Sequence, residues 1–225
     1  MKIKKLISAL VLGSMLVGLS GCNITDFSAE NLLRPPKAVG DEAEIEQLIA
    51  KTADSGYTLK YPKNGKFRSA IIMTDLDGND SNEAVAFFRN SVETSSVHML
   101  VMYSKDNSWE IASDNIFETT DIDSVDFADL TGNGKAEIIV NSTTYTPNVG
   151  KLSCYSYSEG KTNEVGSGQS CSSFVTGDFD NDGTSEIMSL VLYTTENEAL
   201  ASMLDYNEDS KSLYAKAMAN MDPNA

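Results

Sequence analysis

From residue 68 onward, short apolar runs alternate with clusters of Asn, Gly, Ser and Asp, a period-two pattern of strands and turns. It predicts strands over 68–74, 83–88, 97–103 and 108–112, then 124–128, 137–142, 151–157 and 162–165. A third set falls at 172–177, 186–193, 199–206 and 212–215. Ahead of these strands, Asp41 reads as a helix N-cap with Glu44 three residues on. Ile45, Leu48, Ile49 and Ala53 then share one helical face, a stripe suited to packing on the strands. The reading is an all-β chain with a short N-terminal helix. The helix and a lead-in strand occupy 41–66, the repeated strands 67–217, and a strandless tail 218–225.

Each group of four strands carries the same acidic loop between its first two members. Asp75, Asp77, Asn79 and Glu83 stand at positions 1, 3, 5 and 9 of the first copy; Asp129, Thr131, Asn133 and Glu137 of the second; Asp178, Asp180, Asp182 and Glu186 of the third. The copies align without a gap, and their first aspartates lie 54 and 49 residues apart. Such a period is the signature of a repeated supersecondary unit. Alternate residues of a curled loop point inward, so these side chains, with the backbone carbonyls of Ser81, Lys135 and Thr184 at position 7, suit an oxygen cage around a hard cation. Position 6 needs a left-handed backbone. Gly134 and Gly183 supply it without cost, and Asp80 tolerates it. An EF-hand would place a glutamate at position 12, where Ala86, Val140 and Ser189 stand, and would continue as a helix.

Four short strands per unit with an acidic loop joining the first two resembles the FG-GAP or VCBS repeat of integrin-like β-propellers, over about two thirds of the chain. The resemblance implies three four-stranded blades and calcium in the loops as a structural clamp. It also implies recognition at the opposite face, through loops 90–96, 144–150 and 194–197, with Tyr145 their one aromatic. Three blades are fewer than the 4 to 8 that close a propeller. The expectation is therefore a truncated copy, an open arc, or a set completed by a partner. The segments 31–37 and 57–62 also resemble the start of repeat-bearing lipoproteins from Gram-positive, clostridial-type bacteria.

Residues 1–21 are an address rather than part of the fold. Lys2, Lys4 and Lys5 precede 14 apolar-run residues from Leu6 to Leu19, and the stretch ends Leu19-Ser20-Gly21-Cys22. That run is shorter than the ~20 residues needed to span a bilayer. The segment resembles a bacterial lipobox, which implies lipidation at Cys22, cleavage before it, and residence on the outer face of the cytoplasmic membrane. Residues 22–40, with Pro35-Pro36, read as a tether.

Charge narrows the function. Thirty-three acidic against 17 basic side chains give a formal charge of −16, and cleavage before Cys22 removes three lysines and no acid, leaving −19. Nucleic acid, which needs a basic surface, is excluded as a partner, whereas cations are favoured. His98 is the one histidine, so His-based catalytic and zinc sites have no second member. It reads as a packing or surface residue of a strand, and Trp109 and the strand tyrosines as packing. Cys154 and Cys171 fall on non-adjacent strands of the predicted units, which favours two thiols over a disulfide. The expected function is non-catalytic binding of a protein or glycan. A calcium-dependent polysaccharide lyase or hydrolase, or an assembly factor of an envelope complex, is the alternative, because propellers host many functions.

Overall fold

The computed structural model describes residues 40–221, apart from 55, 147 and 194–197. The predicted signal, Cys22 and the tether up to residue 39 lie outside the described residues, as do loop 194–197 and the last four residues. Helix α1 (Asp41–Ala53) leads into thirteen strands: β1 (Tyr57–Leu59), β2 (Ile71–Thr74), β3 (Glu83–Asn90), β4 (Val97–Lys105), β5 (Ser108–Phe117), β6 (Ile122–Ala128), β7 (Glu137–Thr143), β8 (Gly150–Ser158), β9 (Lys161–Cys171), β10 (Ser173–Gly177), β11 (Glu186–Tyr193), β12 (Glu198–Asn207) and β13 (Ser212–Met221). Every pairing is antiparallel. Strands β6 to β9 and β10 to β13 form two four-stranded meanders in chain order. In the first sheet β3, β4 and β5 run in order, and β1 and β2 divide the outer edge of β3, pairing with Phe88–Asn90 and Glu83–Ala86 respectively.

Side-chain alternation assigns each strand to two cores. Val85 and Phe87 of β3 and Val97, Met99 and Val101 of β4 meet Ile138 and Val140 of β7 and Tyr155 and Tyr157 of β8 in a cluster between the first and second sheets. The intervening Ala84, Ala86 and Phe88 turn to the other face, where Ile45, Ile49 and Ala53 of α1 cover them together with Leu100, Met102 and Trp109. The second sheet is likewise buried on both sides. Ile139, Leu152 and Cys154 point away from the first sheet and pack with Ile187, Leu204 and Leu213 of the third. Both faces of β3 are therefore apolar along most of its length, as are both faces of β7 over Ile138 to Val140.

Several elements depart from the sequence expectation. The α1 N-cap is Gly40, with no side-chain cap, and Asp41 is the first helical residue. Asp41, Glu42 and Glu44 fill the first turn, where carboxylates complement the helix dipole, and Glu44 Oε2 accepts from the Trp109 N–H at 3.4 Å. Strands β5 and β9 run well past 112 and 165, to Phe117 and Cys171. Apart from Ile116 and the buried Phe117, their ends are largely polar, so ladder bonds to β4 and β8, with bulges on the way, define them more than apolar alternation does. The same cause carries β13 to Met221, four residues into the expected tail, because Ala199 to Ala201 remain available for pairing. Cys171 ends β9 opposite Gly150 rather than opening the third unit, and it shares a core with Cys154. Both thiols are buried and unbonded. Burial raises both, the Cys171 thiol to about 12. Among the described residues, no helix is long and apolar enough to cross a membrane.

Candidate metal-binding loops

The three acidic loops have one backbone geometry. In each, the position-1 aspartate accepts N–H bonds from positions 5 and 6: Asn79 and Asp80 onto Asp75, Asn133 and Gly134 onto Asp129, Asp182 and Gly183 onto Asp178, all at 2.8–3.2 Å. The position-5 oxygen accepts from the position-7 N–H, at 2.7 Å from Ser81, 2.9 Å from Lys135 and 2.8 Å from Thr184. The position-9 glutamate accepts from the position-2 N–H, and the three distances are the same: Leu76 to Glu83, Leu130 to Glu137 and Phe179 to Glu186, each 2.8 Å. These glutamates are buried, at 3%, 1% and 0% exposure. Each begins the strand that follows its loop, so the ladder holds its side chain under the loop.

The curl depends on two left-handed residues per loop. Position 6 has φ 66° at Asp80, 80° at Gly134 and 95° at Gly183, as the sequence suggested. Position 4 is also left-handed, with φ 73° at Gly78, 69° at Gly132 and 62° at Asn181. Sequence reasoning passed over this second requirement, although Gly, Gly and Asn at aligned positions were its signal.

The loops touch in series at one end of the sheets. The Ala136 N–H donates to the Leu76 carbonyl at 3.1 Å, and the Ser185 N–H to the Asp129 carbonyl at 2.9 Å. Position 8 of each later loop is thereby tied to the start of the loop before it. Gly78 lies against the Gly134 carbonyl and Gly132 against the Thr184 methyl, so a Cβ at either position would force its neighbour to shift.

Acidic oxygens converge in two of the three. Asp178, Asp180, Asp182 and Glu186 each place a carboxylate oxygen within 4.8 Å of the others, as do Asp75, Asp77 and Glu83. Both groups leave a buried acceptor without a donor, Glu186 Oε1 and Asp77 Oδ1. An all-oxygen donor set with an unpaired buried carboxylate oxygen fits a hard cation. In the second loop the corresponding Glu137 Oε1 takes a hydrogen bond from the Thr131 hydroxyl at 3.2 Å. Burial pushes Glu137 up to about 7 against the pull of the Leu130 N–H and that hydroxyl. Burial and then repulsion from Asp77 and Asp75 raise Glu83 despite the Leu76 N–H. At the third loop, the Lys216 ammonium of β13 reaches both Asp180 and Asp205, a neutralising contact no local pattern announces.

Of the expected recognition loops, 90–96 and 144–150 follow the far ends of β3 and β7, which begin beside the acidic loops and run away from them. Tyr145 is 98% exposed there. His98 is buried, stacked on Phe88 at 4.8 Å with its Nδ1 bonded to Asp114 at 2.9 Å, a packing role. No protein-family model matches the chain, and no curated protein matches it.

Proposed function

We propose that this chain is a lipid-anchored extracytoplasmic binding protein. In this reading its three sheets are FG-GAP/VCBS-type propeller blades, calcium clamps the acidic loops, and the opposite strand ends bind a protein or glycan without catalysis. Cys22 carries the anchor, placing an acidic body at the outer face of the cytoplasmic membrane. The observation that carries the reading is the threefold repetition of one loop geometry with an unpaired buried carboxylate oxygen in the first and third copies. Ordinary solvated turns have no reason to bury a glutamate and leave its oxygen without a donor.

Calcium would draw side-chain oxygens from Asp178, Asp180, Asp182 and Glu186 in the third loop and from Asp75, Asp77, Asn79 and Glu83 in the first. The second loop offers Asp129, Thr131, Asn133 and Glu137, with two carboxylates and one oxygen already bonded to Thr131. Ligand charge tunes calcium affinity, so the third loop binds most tightly and the second most weakly. The bound ion supplies positive charge that relieves the repulsion among clustered carboxylates. The protein's part is to hold those carboxylates in place through the N–H bonds described above.

Calorimetric titration of the full chain in detergent with calcium tests this. Expected are at least two binding events and a melting temperature raised by calcium and lowered by chelator, because the unfolded chain has no preformed cage. Absence of binding, together with a melting temperature indifferent to chelator, would overturn the reading.

A further inference from the structure

A cavity of about 550 Å³ opens between the second and third sheets, at the strand ends opposite the acidic loops. It lies within the size range of sites for small organic ligands. Asn64, Thr120, Asn141, Thr143, Ser172 and Ser173 contribute amides and hydroxyls to its wall. The charges there are already spent. Lys60 and Lys63 hold Asp121 at 2.7 and 3.2 Å, while Asp123 accepts from Asn64 at 2.9 Å and from Ser124 at 3.0 Å. One group in the wall is unsatisfied. Asn141 is 1% exposed, its Nδ2 reaches Asp123 at 3.3 Å, and its Oδ1 has no donor. Glycine at 150 makes room for that oxygen, since a Cβ there would collide with it.

We propose that this cavity binds a neutral saccharide, a deepening of the function proposed above that rests on its assignment of this end as the recognition face. A sugar ring carries hydroxyls that both donate and accept, and an N-acetyl substituent adds an N–H. These are the groups that suit a wall of amides and hydroxyls; Asn141 Oδ1 itself is packed against Gly150 and closed to a ligand. An anionic ligand is disfavoured twice: both neighbouring ammonium groups are paired with Asp121, and the chain carries a formal charge of −16. An apolar ligand would strand the polar wall. Tyr145, on the same β7–β8 turn as the wall residues Thr144 and Asn148, is not part of the wall.

The test is binding of the calcium-loaded full chain, in detergent, to a panel of glucose, galactose, mannose, N-acetylglucosamine and N-acetylgalactosamine oligosaccharides. At least one should bind. Ser173→Arg, an exposed substitution that projects a bulky cation into the cavity without touching the core, should weaken it tenfold or more. Glu159→Gln, an exposed residue of the β8–β9 turn outside the cavity wall, should leave binding within twofold. A silent panel from a chain that calcium still stabilises overturns the saccharide site alone; loss of calcium stabilisation as well removes the parent reading. A sugar-free protein that binds and is blocked by Ser173→Arg, with the panel silent, assigns the face to protein recognition and equally overturns the proposal.

Discussion

At the scale of single residues, the three position-9 glutamates differ by one hydroxyl. Glu186 Oε1 is buried without a donor, whereas Glu137 Oε1 is bonded to Thr131. Glu186→Gln keeps an acceptor for the Phe179 N–H but removes the charge, so calorimetry should show the tightest calcium site weakened at least tenfold. Glu137→Gln should leave that site within twofold. Asp121 offers a pH-dependent test away from the loops. Burial tends to raise its carboxyl, but the ammonium groups of Lys60 and Lys63 outweigh burial and hold it below the usual range. A depressed carboxylate stabilises the fold above its unfolded pKa of about 4, and that contribution disappears as pH falls through the lower folded value. Partial exposure limits the pair to about 1 kcal/mol. Asp121→Asn should therefore melt lower than the parent at pH 6, and the gap should narrow as pH falls below the ordinary carboxylate range of about 4.

Among the elements, the acidic loops are rigid because each is tied twice, to its own strand through the buried glutamate and to its neighbour through a backbone bond. Gly132 sits where both constraints meet, with φ 69° and an added Cβ only 2.7 Å from the Thr184 methyl. Gly132→Ala should cost about 1–2 kcal/mol from the left-handed backbone alone. Contact with the third loop adds to that cost, so urea unfolding should show a lowered midpoint at unchanged slope. Helix α1 has a different task. It covers the outer face of the first sheet, burying Phe88, Leu100 and Met102, which would otherwise form an exposed apolar patch.

For the molecule as a whole, the two ends of the sheets differ in chemistry. One gathers three acidic loops in series; the other presents a polar, charge-balanced cavity. Metal at the first end would fix the strands whose far ends shape the second. The proposed anchor is a separate matter that rests on the first 22 residues. Cys22→Ser should move the chain from the membrane to the soluble fraction and abolish lipid labelling. A variant that remains membrane-bound would sink the lipoprotein assignment.

The sequence by itself determined the number of strands in the three repeats, the acidic loop inside each, and the helical stripe of Ile45, Ile49 and Ala53. Those features are written in local periodicity and in turn residues with particular backbone angles. Strand ends were less legible. The far halves of β5 and β9 are mostly polar and that of β13 is mostly alanine and methionine, so none carries a polar–apolar alternation, and only pairing with a neighbouring strand extends them. Likewise, carboxylate counts ranked the three loops from the sequence, but tertiary structure added what no count shows: Glu186 Oε1 lacks a donor, Thr131 occupies Glu137, and Lys216 arrives from a strand 36 residues beyond Asp180. The cavity was invisible for the same reason. Its wall joins Asn64, Asn141 and Ser173, residues far apart in the chain whose shared role exists only once the second and third sheets have packed together.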